Sequence, residues 1–251
     1  MTPSLHAYVL RLGDNALVLS QRLSEWCGKA PALEEDMALV NVALDLLGQA
    51  RLWLSLAGEL EGKGRDEDAL AYLRDEHEFS NVLLVEQPNA DYAHTLMRQW
   101  YFDAWHDLAL ARLCESTDAR VAAIAAKARK EVAYHLRRSH DLLLRLGDGS
   151  ELSHRKMQEA ADALWPYTGE LFSSDAITRH ATDSGVGFDP AALREPWQQR
   201  VAAAFADATL RLPPADAWMH EGGTRGMHTE SMGYLLAEMQ VLARRHPGAR
   251  W

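Results

Sequence analysis

An all-α fold is what this sequence predicts, and three observations carry the prediction. Long segments repeat apolar residues at alternating spacings of three and four, the stripe of a helix packed in a bundle. One of them, Leu33–Glu61, is about 29 residues long, roughly 43 Å at the helical rise, a length that implies a large bundle. Helix stops and starts punctuate the segments: Gly28 and Pro31, Gly62-Lys63-Gly64-Arg65, and Gly147-Asp148-Gly149-Ser150.

In chain order, residues 5–27 read as a helix through Leu5, Val9, Leu12, Ala16, Leu19, Leu23 and Trp26, with a soft point at Gly13-Asp14-Asn15. Leu33–Glu61 follows, with Ala38, Val42, Asp45, Gln49, Leu52 and Leu56 along one face, so that Asp45 and Gln49 interrupt an apolar stripe. Asp66 or Asp68 caps a helix to about Phe79 that presents Ala69, Leu73, Glu76 and Phe79 together. Residues 80–90 (SNVLLVEQPNA) have no helical period and include Pro88; a buried crossover or a short strand fits them, and an irregular segment packed on the bundle fits best. Residues 91–147 are two long helical segments broken near Ser116-Thr117-Asp118. Tyr92, Leu96, Gln99, Asp103, His106, Leu110 and Leu113 form the stripe of the first; Val121, Ala125, Ala128, Val132, His135, Ser139, Leu142 and Leu146 form that of the second. A helix from about Leu152 to Phe172 is kinked at Pro166, residues 182–188 are loop, and Asp189-Pro190 caps and opens a helix to about Leu210. Pro213-Pro214 breaks the chain, Gly222-Gly223-Thr224-Arg225-Gly226 turns it, and residues 229–245 form the last of these additional C-terminal helices.

Composition bounds the function. With 251 residues, 47% of them hydrophobic, and no Gly/Ser/Pro-rich linker, the chain reads as one domain over residues 1–251. A formal charge of −10, from 26 basic and 36 acidic residues, argues against nucleic acid or an anionic membrane as partner. Residues 1–15 lack the pattern of a secretory signal, and no apolar run approaches the ~18 residues of a membrane span, so a cytoplasmic protein is expected. Cys27 and Cys114 belong to no metal or redox motif and read as reduced thiols.

The polar groups inside the stripes ask for an explanation, because a bundle that buries carboxylates and imidazoles at one level either binds something there or descends from one that did. Bundles with a dinuclear metal centre use a carboxylate from each of two helices and a Glu-x-x-His pair from each of the other two. Asp45 and Glu76 are 76 − 45 = 31 apart, and Asp103 and Val132 are 132 − 103 = 29 apart, close to the repeat of antiparallel neighbours. The register fits but the donors do not: Phe79 stands where Glu76 needs a histidine, and Val132 stands where His135 needs a glutamate. Asp45, Glu76, Phe79, Asp103, Val132 and His135 therefore read as degenerate di-iron positions, with no catalytic residue and no metal assigned to this chain. A mononuclear site from Asp45, Asp103, His106 and His135 stays open, and so does a satisfied layer of Asp45, Gln49, Gln99, Asp103, His106 and His135 bonded to one another. Residues 220–228 (HEGGTRGMH) join glycines to a helix start, which makes Arg225 and His228 candidate anion contacts, an ordinary turn being the plainer account. Tryptophans on exposed-looking phases, Trp53 and Trp105, could anchor a partner surface, though core packing is the plainer account.

Several blocks resemble a known family: YVLRLGDNALVLSQRLSEWCG (8–28), LDLLGQAR (44–51), FSNVLLVEQPN (79–89), KEVAYHLRRS (130–139), GGTRGMHTE (222–230) and LLAEMQ (235–240). On these the chain is similar, nearly end to end, to the C subunits of bacterial ring-1,2-phenylacetyl-CoA epoxidases, multicomponent monooxygenases of aerobic phenylacetate degradation. The resemblance implies a ferritin-like bundle and a non-catalytic structural subunit. Its partners would be a catalytic A subunit that holds the di-iron centre, a B subunit, and a reductase with flavin and an iron–sulfur cluster, with homodimerisation left open. Coenzyme A would then be the anion for Arg225 and His228. The alternative from the residues alone is an autonomous di-metal oxidase or oxygenase.

Overall fold

The structure is a computed structural model that describes residues 4–214 and 216–249; residues 1–3, at the start of the segment judged free of a secretory signal, lie outside it. All regular structure among the described residues is helical: α1 (Leu5–Ser24), α2 (Leu33–Glu61), α3 (Glu67–Tyr72), α4 (Leu83–Glu86), α5 (Tyr92–Leu113), α6 (Ala119–Gly147), α7 (Glu151–Leu164), α8 (Ala176–Asp183), α9 (Arg194–Asp207) and α10 (Glu230–Arg245), with 3₁₀ turns between some of them. The chain forms two compact units, one of Met1–Pro88 with Gly222–Trp251 and the other of Asn89–Glu221.

In the first unit α1 and α2 run antiparallel: the His6 Nδ1–H donates to the Ala57 carbonyl at 2.8 Å, and the Ser20 hydroxyl to that of Ala43 at 2.8 Å. Gly13-Asp14-Asn15, expected as a soft point, lies inside an unbroken helix because each of the three faces inward for a purpose. A Cβ on Gly13 would stand 2.7 Å from Leu54 Cδ2, so only glycine lets the two helices approach here. Asn15 accepts the Val82 N–H at 2.8 Å, and Asp14 meets Arg74.

α2 has the predicted bounds and ends at Gly62, whose φ of 69° is the left-handed cap that glycine adopts without penalty. Its buried face is rotated from the predicted one: Leu39, Val42, Leu46, Gln49, Trp53 and Leu56 are inside, whereas Ala38, Asp45 and Leu52 are half-buried. Trp53 and, in the second unit, Trp105 are core residues. Leu33, Met37, Leu44 and Leu47 are exposed, so α2 is apolar on two sides. For that reason it is, by length and composition, apolar enough to cross a membrane, where the sequence reading expected no such stretch.

The helix predicted to reach Phe79 begins at its Asp66 cap but stops at Tyr72. Arg74 is the cause. Its Nε–H takes the Leu70 carbonyl, which a continuing helix would have given to the Arg74 backbone N–H. Its guanidinium turns into the core to pair with Asp14, both side chains being fully buried. Asp14 also accepts the Ser80 N–H at 2.9 Å, which holds the start of the irregular segment. A 3₁₀ turn, Glu76–Glu78, restarts on an Asp75/Glu78 capping box. Residues 80–87 are buried as an irregular segment that includes the single turn α4. From α10, the Gln240 amide donates to the carbonyls of Ala71 at 3.1 Å and Arg74 at 3.0 Å.

In the second unit α5 is buried on all sides from Arg98 to His106. α6 lies antiparallel to it on the predicted stripe as far as Ser139, after which Leu143 and Gly147 replace Leu142 and Leu146 as the buried positions. Pro166 does not kink a longer helix: α7 ends at Leu164 and the chain continues in 3₁₀ turns to Phe172, since proline has no N–H to give. α8, which the sequence reading did not assign, starts at Asp175, whose carboxylate accepts the N–H groups of Ile177 and Thr178. Asp189 caps the next segment as expected, though its first turn, Pro190–Leu193, is 3₁₀ before α9 begins. From α9 the Trp197 indole N–H donates to the Tyr101 carbonyl at 3.1 Å and Arg200 to that of Ala104 at 3.0 Å.

Breaking the Asp14–Arg74 pair should therefore be costly. Asp14→Ala strands a buried guanidinium and is expected to lower unfolding free energy by about 3–5 kcal/mol. Urea titration checks this, and an Asp14→Leu/Arg74→Met double variant, which strands no charge, should recover much of the loss.

Candidate functional site

The polar residues that the sequence placed at mid-height of α5 and α6 do meet. Gln99 and Asp103 are one turn apart, and the Gln99 amide donates to Asp103 Oδ1 at 2.6 Å. Ser139, from the antiparallel neighbour, lies 2.9 Å from Asp103 Oδ2 and 3.2 Å from the Leu136 carbonyl. Asp103 is fully buried. Burial raises its pKa from 3.8 to about 8, against the opposing pull of its bonds to Ser139 and Gln99. At neutral pH it is thus mostly a carboxylic acid. With Asp103 protonated, its Oδ2–H can donate to Ser139 Oγ while the Ser139 hydroxyl donates to the Leu136 carbonyl, whereas Gln99 Oε1 is buried with no hydrogen-bond partner among the described residues.

His106 is buried against Phe102, with ring centroids 5.0 Å apart. Burial, and then the charge of nearby His135, lowers its pKa to about 3, so its imidazole is neutral. His135 is buried on α6, and Val132, one turn before it, is a wholly buried alkyl group. Asp103 and His106 are therefore mostly uncharged at pH 7.

In the first unit the remaining template positions stand differently. Asp45 is half-buried on α2. Glu76, predicted on an inward helical face with Leu73 and Phe79, is exposed on its 3₁₀ turn, as Leu73 is exposed, because α3 ends before reaching them. Phe79 is wholly buried, its ring under the Arg74 guanidinium at 4.0 Å.

This donor set does not fit a dinuclear iron centre. Phe79 and Val132 are hydrocarbon and Glu76 has its side chain in solvent, so the six residues lack donors that the two-carboxylate, two Glu-x-x-His template requires. Among the described residues, no three His, Cys, Asp or Glu side chains are grouped so as to hold a metal ion.

The second candidate, Arg225 and His228, separates. Arg225 is exposed. The His228 side chain is wholly buried, which corrects its reading as a contact for an external anion. Its Nδ1 is 2.7 Å from Glu86 Oε2 and its Nε2 3.1 Å from the Phe79 carbonyl, so both nitrogens face acceptors and both carry hydrogen. Burial pulls its pKa down, but the Glu86 carboxylate and the Phe79 carbonyl outweigh it and the net shift is upward. Glu86 also accepts the Thr229 N–H at 2.6 Å, just before α10. An anion does sit at this helix start, and it is the chain's own. Sequence reasoning missed Glu86; the available signal was a lone carboxylate at the end of the apolar run Val82-Leu83-Leu84-Val85, which must be paired if that run is buried.

Asp103 and His106 imprint a pH dependence on stability. Asp103 binds its proton more tightly folded than unfolded, so its contribution is whole below pH 3.8 and is lost as pH rises toward about 8. His106 has the opposite sign: its contribution is present above pH 6.5 and is lost as pH falls toward about 3. The two slopes oppose each other between pH 4 and 6.5, leaving Asp103 alone above that. Stability should thus fall by roughly 2 kcal/mol between pH 6.5 and 8, and Asp103→Asn should abolish that fall; urea titrations at each pH decide.

The matching blocks of sequence are accompanied by similarity over the full length. Residues 1–251 match the family model described as phenylacetic acid catabolic protein. The chain is 55% identical, over 247 residues, to the C subunit of 1,2-phenylacetyl-CoA epoxidase from Escherichia coli (strain K12), covering 98% of this chain and 99% of that one. The all-helical architecture agrees with the ferritin-like helical fold expected from the resemblance. The chain therefore belongs to the phenylacetic acid catabolic protein family.

Proposed function

We propose that this protein is the structural C-type subunit of a phenylacetyl-CoA 1,2-epoxidase in the cytoplasm, where it binds and stabilises the catalytic A subunit without itself carrying out chemistry. The observation behind the reading is chemical: at Phe79 and Val132, both wholly buried, hydrocarbon fills positions that a di-iron bundle gives to imidazole and carboxylate. Similarity to the C subunit of an epoxidase supplies the reaction and the company the chain keeps. In this reading the di-iron centre belongs to the A subunit, and flavin and an iron–sulfur cluster to the reductase. The B subunit is the remaining member of the assembly, and no residue of this chain is assigned to catalysis.

The test is reconstitution. Purified alone and supplied with ferrous iron, reductase and phenylacetyl-CoA, the chain should give no epoxide and retain no stoichiometric iron. Co-expressed with the A subunit, it should co-purify and raise A's soluble yield and turnover at least tenfold. Turnover by this chain alone would establish the competing reading of an autonomous di-metal oxygenase, and full activity of A without it would end the structural role.

A further inference from the structure

The outer face of α2 has no structural reason to be apolar. Leu33, Met37, Val40, Leu44 and Leu47 repeat at spacings of four and three, opposite the stripe that α2 buries against its own unit. Leu33 is 73% exposed, Met37 60%, Leu44 58% and Leu47 37%, with Val40 half-buried between them. A row of this kind covers some 21 Å of helix (14 residues at 1.5 Å). Contiguous apolar surface on that scale marks a contact rather than a solvated face. Beside Leu44 and Leu47 the surface drops into a groove toward α3, also lined by Gly48, Arg51, Glu67 and Tyr72. A Cβ on Gly48 would meet nothing within 4 Å, so the helix surface has a notch there.

The charges around the row select its occupant. Glu34, Glu35, Asp36 and Asp45 lie along this part of α2, no lysine or arginine occurs between Leu33 and Ala50, and Arg51, at the end of the row, is already paired with Glu67 at 3.2 Å. Two copies of the face brought together by a two-fold axis would set acids and neutral groups mostly against acids, with only Arg51, engaged by Glu67, to offset them. A lipid surface is equally unsuited to a row flanked by carboxylates. What fits is a different chain whose amphipathic helix carries an apolar stripe edged by lysine or arginine.

We propose that the Leu33–Leu47 face of α2 is the seat of such a basic-edged helix from the catalytic subunit, an assignment that rests on the reading of this protein as that subunit's structural partner. Met37 and Leu44 are the central contacts, the Gly48 notch receives a side chain of the incoming helix, and Glu34 and Asp36 meet its cations.

The experiment uses the full chain co-expressed with the catalytic subunit. Met37→Arg/Leu44→Arg replaces solvent-exposed side chains, so the variant should stay folded, with an unchanged melting curve. Its dissociation constant for the catalytic subunit should rise by at least about 30-fold. Glu34→Lys should weaken binding several-fold and flatten its salt dependence. Undiminished binding of the folded double variant overturns the assignment while leaving the structural-subunit reading intact. If the wild-type chain itself fails to bind the catalytic subunit, that reading falls and takes this assignment with it. Ultracentrifugation showing a wild-type homodimer that the double variant dissociates, or flotation of the wild type with phosphatidylcholine vesicles, would overturn it in favour of a second copy or a membrane surface.

Discussion

The buried pairing of Arg74 with Asp14 is the constraint on which the first unit depends. Two opposite charges removed from water are tolerable only when fully bonded, and these are: Asp14 also takes the Ser80 N–H, and Arg74 also donates to the Leu70 and Glu78 carbonyls. Holding the guanidinium inside has consequences along the chain. It ends α3, lays Phe79 beneath the arginine, and lets an irregular segment enter the core with its N–H groups satisfied. It also leaves the Arg74 carbonyl to receive Gln240 and Arg244 of α10. The Phe79 carbonyl then accepts from His228, whose other nitrogen meets Glu86. Residues far apart in sequence are thus tied through one arginine and its neighbours.

In the second unit a buried polar layer joins α5 and α6. Asp103 is held by Gln99 and Ser139 and keeps its proton; His106 is too deeply buried to gain one. Asp103 and Ser139 are bonded within the layer, while Gln99 Oε1 and His106 Nδ1 are buried without hydrogen-bond partners among the described residues, which a polar layer bears at some cost in stability. On α6 the alkyl group of Val132 is buried one turn before His135.

α2 carries a row of solvent-facing apolar side chains, Leu33, Met37, Leu44 and Leu47. A helix that needed one buried face would be amphipathic; α2 has two apolar faces, and this is why its composition approaches that of a membrane span. The carboxylates placed along the outer face are what separate a contact with another protein chain from a contact with lipid.

Local signals made much of this legible in advance. Helix existence followed from period and caps, and Leu33–Glu61, Asp66, Asp189 and the break at Ser116-Thr117-Asp118 needed only neighbours in sequence to be read. The stripe of α6, with Val132 and His135 in it, was visible because an antiparallel pair keeps helical phase. The end of α3, the exposure of Glu76 and the burial of His228 were not visible. Each depends on a partner dozens of residues or more away, Asp14 for Arg74 and Glu86 for His228, and nothing in the local pattern of an arginine or a histidine says whether a distant carboxylate awaits it. The sequence by itself determined which segments are helical, since backbone propensity and capping are local properties. Only the tertiary structure decided which charges go inside, because the cost of burying a charge is set by the partner that meets it there.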